Sequence, residues 1–193
     1  MPAVSYETAL LAVQKRLGEK ATGHSMRAAD TAAQLAIAYG TDVSAARLGG
    51  LLHDWDRERG TDALMDDARA AGMAITPTDE AVPYLLHART GALSLASALP
   101  ALDSAVLRAV ALHTVGSSDM TSLDKIVYIA DMIEPARSYP GVDELRQAAG
   151  VVNLDELFFL AYRRSLMHLV ESGRRIHPDT VAVWNSLVAG RRP

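Results

Sequence analysis

The six histidines, at 24, 53, 87, 113, 168 and 177, have the widest chemical range in this 193-residue chain. An imidazole can ligate a metal, carry a proton near neutral pH or contact an anion. His53 is followed directly by Asp54, after the apolar run Leu48, Leu51 and Leu52 in GLLHDWDRERG. Neighbours on a helix point about 100° apart. Such a pair meets one ion only if the ion lies against the helix edge between them. Together they offer a borderline nitrogen and a hard oxygen, a mixture suited to iron, manganese or zinc. The chain has no cysteine, which excludes disulfides, zinc–thiolate and iron–sulfur sites and a thiol nucleophile. Any metal is therefore held by nitrogen and oxygen.

A His-Asp dipeptide arises by chance in many proteins, and a lone histidine is more often structural than ligating. The question is whether several share one site. His24 opens a helix in GHSMRAADTAAQLA, His87 lies in YLLHARTGALSLA and His113 in VALHTVG. Val106, Val110 and His113 fall at i, i+4 and i+7, so His113 leaves the face that enters the core. Val127 and Asp131 are likewise four apart, and a carboxylate facing a core is costly unless paired or metal-bound. His168 has no motif around it and reads as structural. Trp55, Tyr84 and Tyr39 read as packing, Asp30 as solvent-facing, and Asp56 as either a residue orienting a ligand or a helix-end surface group.

The elements that must position these residues read as helices throughout. There are 33 alanines, and alanine loses no side-chain entropy in a helix. No period-2 stretch or Asn-Gly turn signals a strand. Pro77, Pro83, Pro100, Pro135, Pro140 and Pro178 punctuate the apolar-periodic segments. The pattern predicts helices over 5–19, 24–39, 43–57, 61–72, 82–99, 102–113, 121–133, 141–149, 153–172 and 178–190. The second carries Met26, Ala29, Ala33 and Ile37 at helical spacing and stops at Gly40. The helix capped by Asn153 carries Leu154, Leu157, Phe158, Ala161 and Leu169. Asp103 and Thr121 stand where other helices begin. The expectation is an all-α chain, one helical bundle domain over 1–193.

Apolar residues make up 49% and charged residues 22%, and the net charge is −4. This is a globular composition without the basic surplus of a nucleic-acid-binding domain. A negative chain that binds a polyphosphate needs a local cation cluster or a metal. No run of 18 apolar residues predicts a membrane span. The cations near the N-terminus follow the apolar stretch rather than precede it, so a mature cytoplasmic protein is expected.

The order His … His-Asp … His … His … Asp resembles the HD-domain superfamily of metal-dependent phosphohydrolases. The segments ARLGGLLHD, YLLHARTGAL, ALHTVG, SLDKIVYIADMIEPAR, PGVDELR and IHPDTV are similar to the YqeK family, which cleaves diadenosine tetraphosphate symmetrically to two ADP. These segments run from residue 24 to about 185. The resemblance implies an HD-type bundle with its core at about 20–135, completed at the nucleotide site by C-terminal helices at about 141–190. It implies metal ligands at His24, His53, Asp54 and Asp131 around a divalent cation, iron before manganese, one ion before two. His87 and His113 match positions that contact substrate phosphate; in other HD enzymes they bind a second metal, and the sequence leaves both open. Arg57, His87 and His113 are the expected catalytic groups. Arg57, His87, His113, Thr114, Asp131, Arg137, Gly173, Arg175 and His177 are the expected substrate contacts. Glu134 is expected to hold its loop or an arginine. The partner is a small dinucleotide, with no nucleic acid and no membrane; a homodimer stays open.

The chain departs from the family pattern at Ala21 and Val115, at Arg57 where lysine is usual, and at Trp184 before Asn185. These bear on phosphate contact rather than on the metal ligands. Two other functions remain: an HD phosphohydrolase acting on a nucleoside monophosphate or a guanosine polyphosphate, and an inactive nucleotide-binding HD module. Product analysis separates the first, and metal content the second.

Overall fold

The computed structural model describes residues 4–191, and among these there is no strand. The α-helices are α1 (Tyr6–Arg16), α2 (Glu19–Tyr39), α3 (Val43–Leu52), α4 (Thr61–Ala70), α5 (Pro77–Ala81), α6 (His87–Ala98), α7 (Ser104–Leu112), α8 (Ser122–Ile133), α9 (Val142–Ala148), α10 (Leu154–Glu171) and α11 (Pro178–Val188); a 3₁₀ turn, Pro83–Leu86, leads into α6. The expected all-α class is what the structure shows.

The helix starts follow side-chain chemistry. Asp42, Asp103 and Asn153 accept first-turn backbone N–H groups, and Thr121 with Asp124 forms a reciprocal capping box. The expected boundaries at Asp103, Thr121 and Asn153 hold. Elsewhere the structure corrects the sequence reading. Gly18 ends the first segment, so α2 starts at Glu19 and His24 lies within it rather than opening it. The predicted helix 43–57 stops at Leu52, and residues 53–59 turn. The predicted 82–99 helix is a 3₁₀ turn followed by α6, because Pro83 cannot continue a helix from before it. A further helix, α5, was not expected; Thr76 and Asp79 box its start.

The buried stripe of α2 also differs. Ala28, Ala29, Ala32, Leu35 and Ala36 face inward, while Met26 and Ile37 are exposed. The small face is what allows α3 to come close. A Cβ on Gly50 would sit 2.7 Å from the Ala28 carbonyl oxygen and 2.8 Å from Ala29 Cα. A Cβ on Gly49 would meet Val127 of α8 at 2.6 Å. The glycine pair thus wedges α3 between α2 and α8, and His53 is the next residue after that helix. One apolar core joins α1, α2, α3, α6 and α7; a second joins α2, α8, α10 and α11 around Tyr128, Phe158 and Tyr162. Helices α2, α3 and α7 contribute to both.

Candidate metal centre

Helix α2 delivers His24, the end of α3 delivers His53 and Asp54, and α8 delivers Asp131 two residues before its end. Nε2 of His24 lies 2.9 Å from an Asp131 carboxylate oxygen, 3.6 Å from one of Asp54 and 3.2 Å from Nε2 of His53. His53 Nε2 lies 3.3 Å from Asp54 and 3.6 Å from Asp131. His87, at the start of α6, and His113, just past α7, close the other side. Their Nε2 atoms are 3.2 Å apart, and lie 3.3 and 3.6 Å from the second Asp54 oxygen. His24, His53 and Asp131 form one compact donor set, and His53, Asp54 and His113 another, with His53 in both. Asp54 and His53 are fully buried.

The other ring nitrogens all point outward. His53 donates its Nδ1–H to the Gly50 carbonyl (2.8 Å), His87 to Tyr84 (2.6 Å) and His113 to Val110 (2.7 Å), and His24 donates to the Glu134 carboxylate (3.1 Å). In the neutral ring this places the lone pair on Nε2. Four lone pairs and two carboxylates therefore face one buried centre. Such a set is repulsive without a positive charge in it, and it fits a divalent cation with nitrogen and oxygen ligands.

The electrostatics are consistent. Burial alone would push the His53 imidazole down, but Asp54 and Asp131 outweigh it and hold it raised to about 10. Burial opposes ionisation of Asp54 and Asp131, yet the histidines around both, and Arg137 beside Asp131, hold them well below the usual carboxylate range. Burial, partly offset by a hydrogen bond to the Asp54 carboxylate, lowers His113.

Arg57 donates to Asp54 (3.0 Å), and Arg137 donates to the Asp131 carboxylate and to its backbone carbonyl (2.8 Å). Thr114 Oγ1 lies 3.4 Å from His113 Nε2. A cleft of about 450 Å³ opens beside His24, lined in part by Lys20, Arg27, Arg57 and Arg137. All of the expected site residues up to Arg137 are thus brought to one place. The last three have other partners or none among the hydrogen bonds described. Gly173 ends α10 with φ +63° and Arg175 is exposed. His177 is buried and caps α11, with Nε2 toward Asp79 and Thr76 (3.4 and 3.3 Å). Among the described residues no hydrogen bond or ion pair joins these three to the histidine cluster.

Three supporting residues were not singled out from sequence. Arg27 binds Glu134 (2.6 Å), on the same face of α2 as His24 three residues earlier. Arg16 donates to the Trp55 carbonyl (2.8 Å) and to the buried Asp56, which fixes the turn carrying His53 and Asp54. Arg146 on α9 donates to the carbonyls of Ile133 (3.0 Å), Glu134 (2.8 Å) and Arg137 (2.8 Å). It ties down the loop that presents Glu134 to His24 and Arg137 to Asp131. The His24–Arg27 spacing was a readable signal; nothing local marks Arg16 or Arg146.

A helical bundle with this His/Asp centre defines a class, and the family comparison agrees: the HD domain profile matches residues 22–136. The symmetrical bis(5'-nucleosyl)-tetraphosphatase of Bacillus subtilis is 32% identical over 184 residues, covering 95% of this chain and 98% of that protein. The protein of the same name from Halalkalibacterium halodurans is 32% identical, over 93% and 95%. A crystal structure from Clostridium acetobutylicum, described as a predicted HD superfamily hydrolase involved in NAD metabolism, superimposes with a TM-score of 0.88 at 33% identity, over 97% of this chain and 99% of that one. This chain belongs to the HD-domain family, within the group that includes these tetraphosphatases. The HD domain implies a divalent metal, and the donor sets above are able to bind one.

Proposed function

We propose that this protein is a metal-dependent hydrolase that cleaves diadenosine tetraphosphate symmetrically to two ADP. The observation that carries the reading is the convergence of four Nε2 lone pairs and two carboxylates beside an arginine-lined cleft, in a chain related along nearly its whole length to tetraphosphatases.

His24, His53, Asp54 and Asp131 would hold one cation, iron in preference to manganese. Two neutral imidazoles and two carboxylates bring a 2+ ion to about zero net charge, so the site can accept an anion. Held by these four residues, a divalent cation would supply Lewis-acid activation of water and of a phosphoryl oxygen. Arg57 and Arg137 hold the ligand carboxylates in place and present guanidinium faces to phosphate. His87 and His113, with Thr114, contact the transferring phosphate and carry protons. Lys20 and Arg27 extend the cationic wall along the cleft, which gives a net-negative protein the local field a polyphosphate needs.

The test is incubation of metal-loaded protein with diadenosine tetraphosphate and chromatography of the products. ADP as sole product is expected. Released orthophosphate or pyrophosphate, or AMP with ATP, contradicts the reading. His53→Ala should abolish turnover with the helical fold retained.

A further inference from the structure

Tyr84 reads as a packing residue in the sequence, and the structure gives it a different place. Pro83 opens the 3₁₀ turn between α5 and α6, and that turn brings the Tyr84 carbonyl to His87 Nδ1 (2.6 Å). The Tyr84 ring lies beside the same histidine, 4.6 Å between centroids and tilted by 34°. The Arg57 guanidinium carbon lies 5.7 Å from the centre of the ring. One residue therefore orients His87 through its backbone and packs against both His87 and Arg57 through its ring. Asp79 of α5 pairs with Arg89 of α6 (3.0 Å), which ties together the helices on either side of the turn.

Tyr84 is partly buried, and among the described residues its hydroxyl makes no hydrogen bond. Buried tyrosine hydroxyls usually find a partner. Burial raises the phenol above its ordinary value, with Arg57 opposing and Asp54 and Asp131 adding. It therefore keeps its proton at neutral pH and is a donor. The same charges set it at the edge of the metal centre.

Its neighbours identify the acceptor. His87 and Arg57 are the groups proposed above to face phosphate. Phosphoryl transfer spreads negative charge over non-bridging oxygens, and catalysis comes largely from donors fixed in advance toward that charge. The leaving group is the terminal phosphate of ADP, which is stable as an anion and needs no proton. The phenol is thus suited to a fixed donor rather than an acid. Stacking on a base is the other use of a tyrosine, but this ring is already engaged by His87 and Arg57. The hydroxyl is its free group.

We propose that Tyr84 is a further catalytic residue, its hydroxyl donating a hydrogen bond to a non-bridging oxygen of the phosphoryl group held between Arg57 and His87. The inference rests on the function proposed above and adds a neutral donor to its cations and imidazoles.

Tyr84→Phe tests it, because phenylalanine keeps the ring, its packing and the backbone carbonyl and removes only the hydroxyl. A merely structural role would survive that change. Inorganic phosphate is titrated calorimetrically into the metal-loaded parent and variant. The variant is expected to bind it about tenfold more weakly, and to lose about 10–100-fold in kcat on diadenosine tetraphosphate, at equal metal content and helicity. Phosphate affinity equal to the parent's overturns the proposal. So does a variant that loses its metal, since the hydroxyl would then serve the centre and not the substrate, and so does a parent that binds no phosphate. Failure of the parent to hydrolyse the dinucleotide removes the proposed activity, whereas the phosphate titration still decides the role of the hydroxyl.

Discussion

The Glu134 carboxylate accepts the Nδ1–H of His24 at 3.1 Å, on the ring edge opposite the nitrogen that faces Asp131. Burial would push the Glu134 carboxyl up, but Arg27 and the Ala136 N–H (2.8 Å) hold it below its ordinary value. The ionised carboxylate fixes the tautomer and the orientation of the ring. Outer partners of this kind are worth about 10–100-fold in metal affinity. Glu134→Ala is expected to weaken metal binding by that order in a competition titration, with helix content unchanged. An unchanged affinity would remove the orienting role.

Arg146 acts through the same loop. Its three carbonyl acceptors, on Ile133, Glu134 and Arg137, span the loop's whole width. Arg146→Met should lower metal affinity through Glu134 and raise KM through Arg137. Residues sharing one network are non-additive. The effects of Arg146→Met and Glu134→Ala on metal affinity should therefore sum to more than the double variant shows; strict additivity means that the clamp does not act through Glu134.

The metal-free protein should show a pH dependence that the loaded protein lacks. With no cation, a proton on His53 answers the charge of Asp54 and Asp131, which outweigh burial and raise the imidazole from 6.5 to about 10. A raised folded value contributes stability that is full below pH 6.5 and lost as pH rises through about 10. Chelated protein should accordingly lose stability between those limits in denaturant titrations at stepped pH. Metal-loaded protein should not, since the cation takes the proton's place. Parallel profiles would contradict the exchange of proton for metal.

Gly50 and Gly49 separate a rigid contact from a yielding one. The Gly50 Cβ would strike the α2 backbone, and the Gly49 Cβ the Val127 side chain. Overpacking of this kind costs typically about 1–3 kcal/mol. Gly50→Ala should lie at or above the top of that range in urea unfolding and should also weaken metal binding, because it displaces His53. Gly49→Ala should cost less. The reverse order would mean that α3 is not held by close approach to α2.

Much of this was legible in the chain. The family resemblance marked His24, His53, Asp54 and Asp131 as ligands, and helical spacing placed Asp131 and His113 on core-facing sides. Capping residues marked the starts of α7, α8 and α10. What failed, failed for tertiary reasons. The α2 stripe through Met26 and Ile37 has correct periodicity but the wrong face, since close approach of α3 selects alanines over larger apolar groups. The partner of His177, Asp79, lies 98 residues away, where no local pattern announces it. Arg16 and Arg146 work on backbone carbonyls, and a carbonyl has no sequence signature.

The most direct measurement is the metal content of anaerobically purified protein, parent beside His53→Ala, with circular dichroism on both. One equivalent of iron or manganese in the parent and close to none in a variant of equal helicity is expected. A His53→Ala protein that keeps a full equivalent would contradict a cation held by His24, His53, Asp54 and Asp131.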